Sequence, residues 1–236
     1  MKVPRLLVYL ISIIACIFYL LPLYTVLNVS IKTAQELTWG PVIPAQSVYL
    51  GAYLEAWRQI SDPFFNSVRM TLPATIISTF LGSLSGFAFF RFNFKGRDLL
   101  LFLLVLGFYV PPQAILIPLV KFIADIGLFG TIQGLILTHV AYGMPITTLL
   151  FKNYYESIPK DILESAEIDG AGLGMMYRKI ILPLSLPGFA VVLIFQFTNI
   201  WNEFLFGLVL TQGRFSQPVT VAIANLKGTT LAAWNV

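Results

Sequence analysis

The chain has 236 residues, of which 57% are hydrophobic and 11% are charged, and its formal net charge is +4. Soluble domains carry about a quarter charged residues, so this composition excludes an ordinary soluble globular protein. One cysteine and one histidine exclude an intrachain disulfide and a thiolate metal site. The lysines and arginines fall in loops between apolar runs, where they indicate membrane topology rather than nucleic-acid binding.

Five long apolar runs predict five membrane-spanning helices. Each run is near or above the roughly 20 residues that a helix needs to cross a 30 Å hydrocarbon core. None shows the alternating pattern of an outer-membrane β-strand. We therefore predict an all-α membrane protein in which residues 1–236 form a single transmembrane domain. The predicted spans lie at about residues 6–30, 68–91, 99–120, 131–151 and 183–210.

The first run is predicted to be a retained helix rather than a cleaved signal peptide. Lys2 and Arg5 precede it, but the run is too long for a signal peptide and no small-residue cleavage site closes it. If the N-terminus is cytoplasmic, nine of the fifteen lysines and arginines face the cytoplasm. The short loop with Arg91, Lys95 and Arg97 carries most of this bias. We therefore expect a multi-pass protein of a bacterial or archaeal cytoplasmic membrane, with its N-terminus inside.

An external segment is predicted between the first two spans, at residues 32–67. Tyr49, Tyr53 and Trp57 are four residues apart and would share one face of a helix. They suit an aromatic belt at the membrane interface. A docking surface for an external partner explains the same spacing, and the sequence leaves both interpretations open.

A charged loop at residues 152–182 interrupts the apolar pattern and is predicted to form a helix, a glycine turn and a second helix. Pro159 suits the first position of the first helix, where its missing N–H costs nothing. Ile162, Ala166 and Gly170 recur every four residues and give a narrow face of small and apolar groups. Such a face would let another protein approach closely.

At this loop the chain resembles the permease subunits of type I ATP-binding-cassette importers. Their cytoplasmic signature, known as the EAA motif, is Glu-Ala-Ala, three residues, Gly, nine residues and then Ile-x-Leu-Pro. All of its spacings are matched here by Glu164-Ser165-Ala166, Gly170, Ile180 and Leu182-Pro183. Two further stretches resemble the carbohydrate branch, and in particular the smaller permease of maltose-type systems: Ile168-Asp169-Gly170-Ala171 and Trp201-Asn202-Glu203-Phe204. Ser165 departs from the usual second alanine.

The resemblance implies the transmembrane subunit of an ATP-driven sugar importer, which forms half of the translocation pathway. The implied partners are a second homologous permease, an ATP-binding-cassette ATPase dimer that holds ATP and Mg, membrane lipid, and a periplasmic or lipid-anchored solute-binding protein that delivers the sugar. The family core has six spans, so a sixth helix is expected to be missing after Val236. The residues expected to couple to the ATPase are Pro159, Glu164, Ser165, Ala166, Asp169, Gly170, Ile180, Leu182 and Pro183.

No enzyme activity is expected on this chain. It has no phosphate-cradling Gly-x-x-x-x-Gly-Lys loop, and its single histidine and cysteine offer neither a catalytic dyad nor a metal site. A secondary transporter or channel subunit for a small polar solute is the alternative. That alternative leaves the loop motif unexplained and would normally require more ionisable groups within the spans.

A polar stripe marks the fifth predicted span. Gln196, Asn199 and Glu203 recur at spacings of three and four and share one helix face, with Asn202 beside them. A charge at the membrane centre costs about 3 kcal/mol on insertion scales, so Glu203 should face a cavity or a partner. These four residues are candidates for the substrate path, although packing between subunits explains them equally well. His139 is expected to be a structural ring hydrogen-bonded to a neighbouring helix.

Overall fold

The computed structural model describes residues 5–229, and every regular element within that range is helical. Asp62–Ala222 form one compact unit, and the described residues before and after it form a second. Lys2 and the chain end, where the missing sixth helix was expected, lie outside the described residues. The α-helices are α1 (Arg5–Ser30), α2 (Gly51–Arg91), α3 (Arg97–Tyr109), α4 (Pro112–Asp125), α5 (Ile132–Glu156), α6 (Lys160–Ile168), α7 (Leu173–Met176), α8 (Leu182–Leu184), α9 (Leu186–Asn202), α10 (Leu205–Leu210) and α11 (Val219–Thr229).

Among the described residues, α1, α2 and α5 are each long and apolar enough to cross a membrane. Two bent pairs raise the number to five if each pair is one span. One pair is α3 with α4, and the other is the helical stretch Leu173–Leu184 with α9. The helices α1 and α5 cover the first and fourth predicted spans. The number of five spans stays a prediction.

The third predicted span is not one straight helix, as its apolar run had suggested. α3 ends at Tyr109 and α4 begins at Pro112, with a bend of 96° between them. Val110 between them has an extended backbone, with ψ of 121°. Pro111 and Pro112 cause this break, because a proline donates no backbone hydrogen bond and disfavours helical geometry in the residue before it.

The fifth predicted span, 183–210, is also interrupted. It bends by 75° at Ser185, and α9 then ends at Asn202 before α10 begins at Leu205. Upstream of Ser185, residues Tyr177–Ile181 form a π-helical turn between α7 and α8. Beyond Pro218, where no span was expected, the chain is helical again in α11.

The predicted external segment, 32–67, is helical over its second half, because α2 already begins at Gly51. Its first half is organised by Glu36, whose carboxylate accepts backbone N–H bonds from Thr33 (3.0 Å), Gln46 (3.1 Å) and Ser47 (3.2 Å). These bonds, that of Thr33 first, lower the pKa of Glu36 from its ordinary value. This buried carboxylate is therefore a structural element of the segment.

Helices α2 and α5 approach each other at two glycines on α2, which are four residues apart. A Cβ on Gly82 would collide with Thr147, and one on Gly86 would lie 2.8 Å from the backbone nitrogen of Lys152. The Thr147 hydroxyl donates to the Ser78 carbonyl across this contact, at 3.0 Å. The spacing is the small-residue pattern by which membrane helices bring their backbones together.

Candidate functional site

The structure holds α6, the helix that carries the Glu-Ser-Ala signature, against the rest of the chain through its inner face. Leu163 and Ala166 are 4% and 9% exposed and belong to a hydrophobic cluster with Phe151, Met176 and Ile181. The arrangement corrects one prediction. Ala166 was expected on a face open to another protein, but it packs into this chain's own core.

A hydroxyl network lies within the same cluster. The Ser83 hydroxyl from α2 is hydrogen-bonded to the Tyr155 hydroxyl at 2.6 Å and to the Tyr177 hydroxyl at 2.7 Å. All three residues are buried, and the network joins three separate stretches of the chain. Because each hydroxyl has a partner, the network fixes the helices on which α6 rests.

The outer side of α6 is accessible. Arg91, at the end of α2, forms an ion pair with Glu167 and ties α6 to that helix. Beside this pair lies a cleft of about 330 Å³, lined by both basic and acidic side chains, Arg97, Lys160 and Glu164 among them. Together with the cluster beneath α6, the pair and the cleft define what we call the α6 platform, which presents charged groups on a supported helix.

Most of the predicted coupling residues are exposed on this platform. Gly170 ends the helix with a φ of 81°, a left-handed conformation that glycine adopts without strain. Pro159 caps α6 and lies one position before the helical residue that was predicted for it. Ile180 and Leu182 are half-buried. The exposed predicted residues are Pro159, Glu164, Ser165, Asp169, Gly170 and Pro183.

A second site is a pocket of about 160 Å³, which we call the α5–α9 pocket. Three members of the predicted polar stripe line it, while Asn202 does not and instead donates to the Thr198 carbonyl at 2.9 Å. The Gln196 amide lies against Gly143, where a Cβ would collide with its nitrogen and force the side chain to move. The lining residues are Phe108, Pro112, His139, Tyr142, Gly143, Ile146, Phe195, Gln196, Asn199, Ile200, Glu203 and Phe206.

Glu203 lies at the break between α9 and α10. Its carboxylate oxygens accept backbone N–H bonds from Phe206 at 2.9 and 3.0 Å and from Gly207 at 3.4 Å. Glu203 was expected to face a cavity or a partner, and it lines the pocket, whereas its hydrogen bonds to its own chain were not foreseen. The same carboxylate also borders the pocket, so it has a second side open to a ligand.

His139 differs from its prediction. The ring is 4% exposed, and its Nε2 atom makes no hydrogen bond within the described part of the chain. The nearest charged atom is Oε2 of Glu203, at 3.9 Å, and the Phe206 ring packs edge-on at 5.7 Å. The ring was expected to be hydrogen-bonded to a neighbouring helix, and Nε2 makes no such bond in the part of the chain that the structure describes. Across residues 5–229, no group of three or more histidine, cysteine or acidic side chains is placed to hold a metal ion.

Known membrane transport proteins match this chain over most of its length. The family model of the binding-protein-dependent transport system inner membrane component matches residues 78–233. A probable ABC transporter permease protein of Pyrococcus horikoshii is 48% identical over 98% of this chain and 85% of its own length. A xylose/arabinose import permease protein of Haloferax volcanii is 38% identical over 90% of this chain and 76% of its own length.

A solved structure supports the fold. One chain of a bacterial ABC transporter involved in the import of the acidic polysaccharide alginate superposes with a TM-score of 0.79. The match covers 94% of this chain and 80% of that chain, at 21% identity. The fold is thus that of an ABC-importer permease. The chain belongs to the family of binding-protein-dependent transport system inner membrane components, which confirms the resemblance inferred from the loop motif.

Proposed function

We propose that this chain is the permease subunit of an ATP-driven importer for a sugar, in which it forms half of the translocation pathway. The observation that carries the proposal is the α6 platform, because its signature residues lie on a helix that is supported from within and open on its outer side. The Haloferax volcanii relative is a xylose/arabinose import permease protein, which supports a sugar as the solute.

The platform suits a helix that transmits force from an ATPase. Leu163 and Ala166 anchor α6 to the same cluster that packs α5 and the start of α9. A push on the outer face of α6 would therefore move the membrane helices rather than bend a loose loop. Glu164 on the outer face would pair with a basic residue of the ATPase, and Gly170 would allow close approach.

The remaining components belong to partner chains. A dimer of ATP-binding-cassette ATPases would bind ATP and Mg, a second homologous permease would complete the path, and a solute-binding protein outside the cell would deliver the sugar. The cycle needs a unit with two arrangements, one favoured by ATP and the other by the loaded binding protein. The N-terminus and the α6 platform would then face the cytoplasm. Gln196, Asn199 and Glu203 would border the solute path.

Charge reversal at Glu164 tests the coupling role. In the complex purified with this chain and reconstituted in proteoliposomes, Glu164→Lys should leave membrane insertion intact. The sugar transported per ATP hydrolysed should fall about tenfold, because like charges would meet at the docking face. Glu164→Gln should lose less, since it removes a charge without reversing it.

Asp125→Lys is the matched control, because it reverses an exposed acid at the end of α4, on the side predicted to lie outside the cell. This variant should transport as much sugar per ATP hydrolysed as the unaltered protein. Normal uptake by Glu164→Lys would refute the assignment of α6 as the coupling helix.

A further inference from the structure

The α5–α9 pocket contains a buried polar atom that the fold itself does not satisfy. His139 lines the pocket, and its Nε2 atom is enclosed and makes no hydrogen bond within the described residues. An orphaned buried polar atom of this kind is destabilising and calls for an explanation. A threonine hydroxyl in the same condition, such as that of Thr71 on α2, can rotate toward the carbonyl four residues earlier. An imidazole nitrogen has no such local partner.

The distance from His139 to Glu203 suggests what completes the pair. At 3.9 Å, Nε2 and Oε2 are too far apart to bond directly. A hydroxyl oxygen about 2.8 Å from each atom can bridge that gap. It would donate a hydrogen bond to the carboxylate and accept one from the Nε2–H of a neutral imidazole. The carboxylate keeps acceptor capacity for this, because each oxygen can accept more than one hydrogen bond.

The rest of the lining favours a small, hydroxyl-rich ring. Gln196 is buried at the pocket wall, and Asn199 lies one turn from it on α9. The amide nitrogen of Asn199 donates to the Phe195 carbonyl at 2.9 Å, so its side-chain oxygen can still accept a hydrogen bond. Phe195 and Phe206 supply apolar ring faces. A volume of about 160 Å³ is below the roughly 300–1,000 Å³ of pockets for drug-sized ligands, so it suits one ring rather than an oligosaccharide.

We propose that His139 and Glu203 together bind one hydroxyl group of a single sugar ring as the solute passes through the α5–α9 pocket. The proposal rests on the proposed function and adds to it a specificity-determining residue, His139, on a helix that the polar stripe does not include. Solutes that lack a hydroxyl at this position would leave the buried His139 Nε2 without a hydrogen-bond partner, and such sites discriminate strongly against them.

The test uses the whole importer complex in proteoliposomes, with saturating binding protein loaded with radiolabelled D-xylose, L-arabinose or D-glucose. His139→Phe keeps the ring shape but removes both nitrogens. It should lower ATP-dependent uptake about tenfold, the loss expected when one hydrogen bond to the solute is removed. Stimulation of ATP hydrolysis by the loaded binding protein should persist. His139→Gln keeps a donor and should restore most of the uptake.

Two further variants sharpen the result. Glu203→Gln combined with His139→Phe should lose little more than either change alone, because the two groups bind the same hydroxyl. Thr198→Val is the matched control, since it removes an exposed hydroxyl that donates to the Ile194 carbonyl of its own helix and lies outside the pocket lining. It should transport normally.

The outcomes separate the two proposals. If the unaltered complex takes up none of these sugars with ATP, the proposed function fails. If the unaltered complex transports a sugar and His139→Phe does so equally well, this inference alone is overturned. It is also overturned if His139→Phe and His139→Gln abolish uptake and ATPase stimulation alike, because that pattern marks a structural residue.

Discussion

The α6 platform and the α5–α9 pocket lie in the same compact unit. They differ in whether their buried polar groups have hydrogen-bond partners. In the platform, Ser83, Tyr155 and Tyr177 satisfy one another within 2.7 Å. In the pocket, His139 Nε2 has no hydrogen-bond partner among residues 5–229 and lies 3.9 Å from a carboxylate oxygen. A closed network rigidifies the core that contains it, whereas an open one has room for a further group. This contrast supports our proposal that the first region transmits force and the second contacts the solute.

The largest effect is expected where the platform is anchored. Leu163→Ala would leave a cavity between α6 and its cluster and should lower the free energy of unfolding by about 2–5 kcal/mol. The thermal unfolding of the purified complex measures this loss. Ile168→Ala, on the same helix but with its side chain 87% exposed, is the control and should change stability by no more than about 0.5 kcal/mol. Equal effects from the two variants would contradict the anchoring of α6.

The pocket should respond in transport rather than in stability. Gly143→Ala places a Cβ against the Gln196 amide and would displace that side chain, so we expect sugar uptake to fall about tenfold. Gly107→Ala is the matched control, because the nearest atom to a Cβ there is Pro145 Cγ at 4.0 Å. Uptake assays with the reconstituted complex compare the two. Unchanged transport by Gly143→Ala would remove Gln196 from the solute path.

A smaller effect is expected from opening the closed network. Tyr155→Phe removes one hydroxyl and leaves the Ser83 hydroxyl with a single partner, so stability should fall by about 1–2 kcal/mol. The ratio of sugar transported to ATP hydrolysed should stay the same, because the network is structural. Thermal unfolding and coupled uptake, measured on the same preparation, check both statements. A changed ratio with unchanged stability would reverse the roles assigned to the two regions.

Part of this arrangement could be predicted from the sequence. Apolar runs gave the bounds of α1 and α5 to within a few residues, because burial in lipid requires continuous apolar length. The spacing of Glu164, Ala166 and Gly170 identified the family. The glycines at 82 and 86 carried a recognisable close-packing signal that the sequence analysis did not use.

The rest depended on contacts between distant parts of the chain. Four-residue spacing showed that Ile162 and Ala166 share a side of α6, but it could not show which neighbour would cover Ala166. The bend at Pro111 could not be predicted, because several apolar runs contain prolines and the sequence does not show which of them breaks its helix. His139 had no local signal at all, because Glu203 reaches it only after α5 and α9 are brought together.

The central claim is that this chain couples ATP hydrolysis to sugar import, and reconstitution tests it most directly. The complex purified with the tagged chain is placed in sealed proteoliposomes with its solute-binding protein and labelled D-xylose, L-arabinose or D-glucose. We predict that the loaded binding protein stimulates ATP hydrolysis and that sugar accumulates only when ATP is present. Sugar uptake driven by an ion gradient without ATP, with this chain alone or as a homo-oligomer, would contradict the account and indicate a secondary transporter.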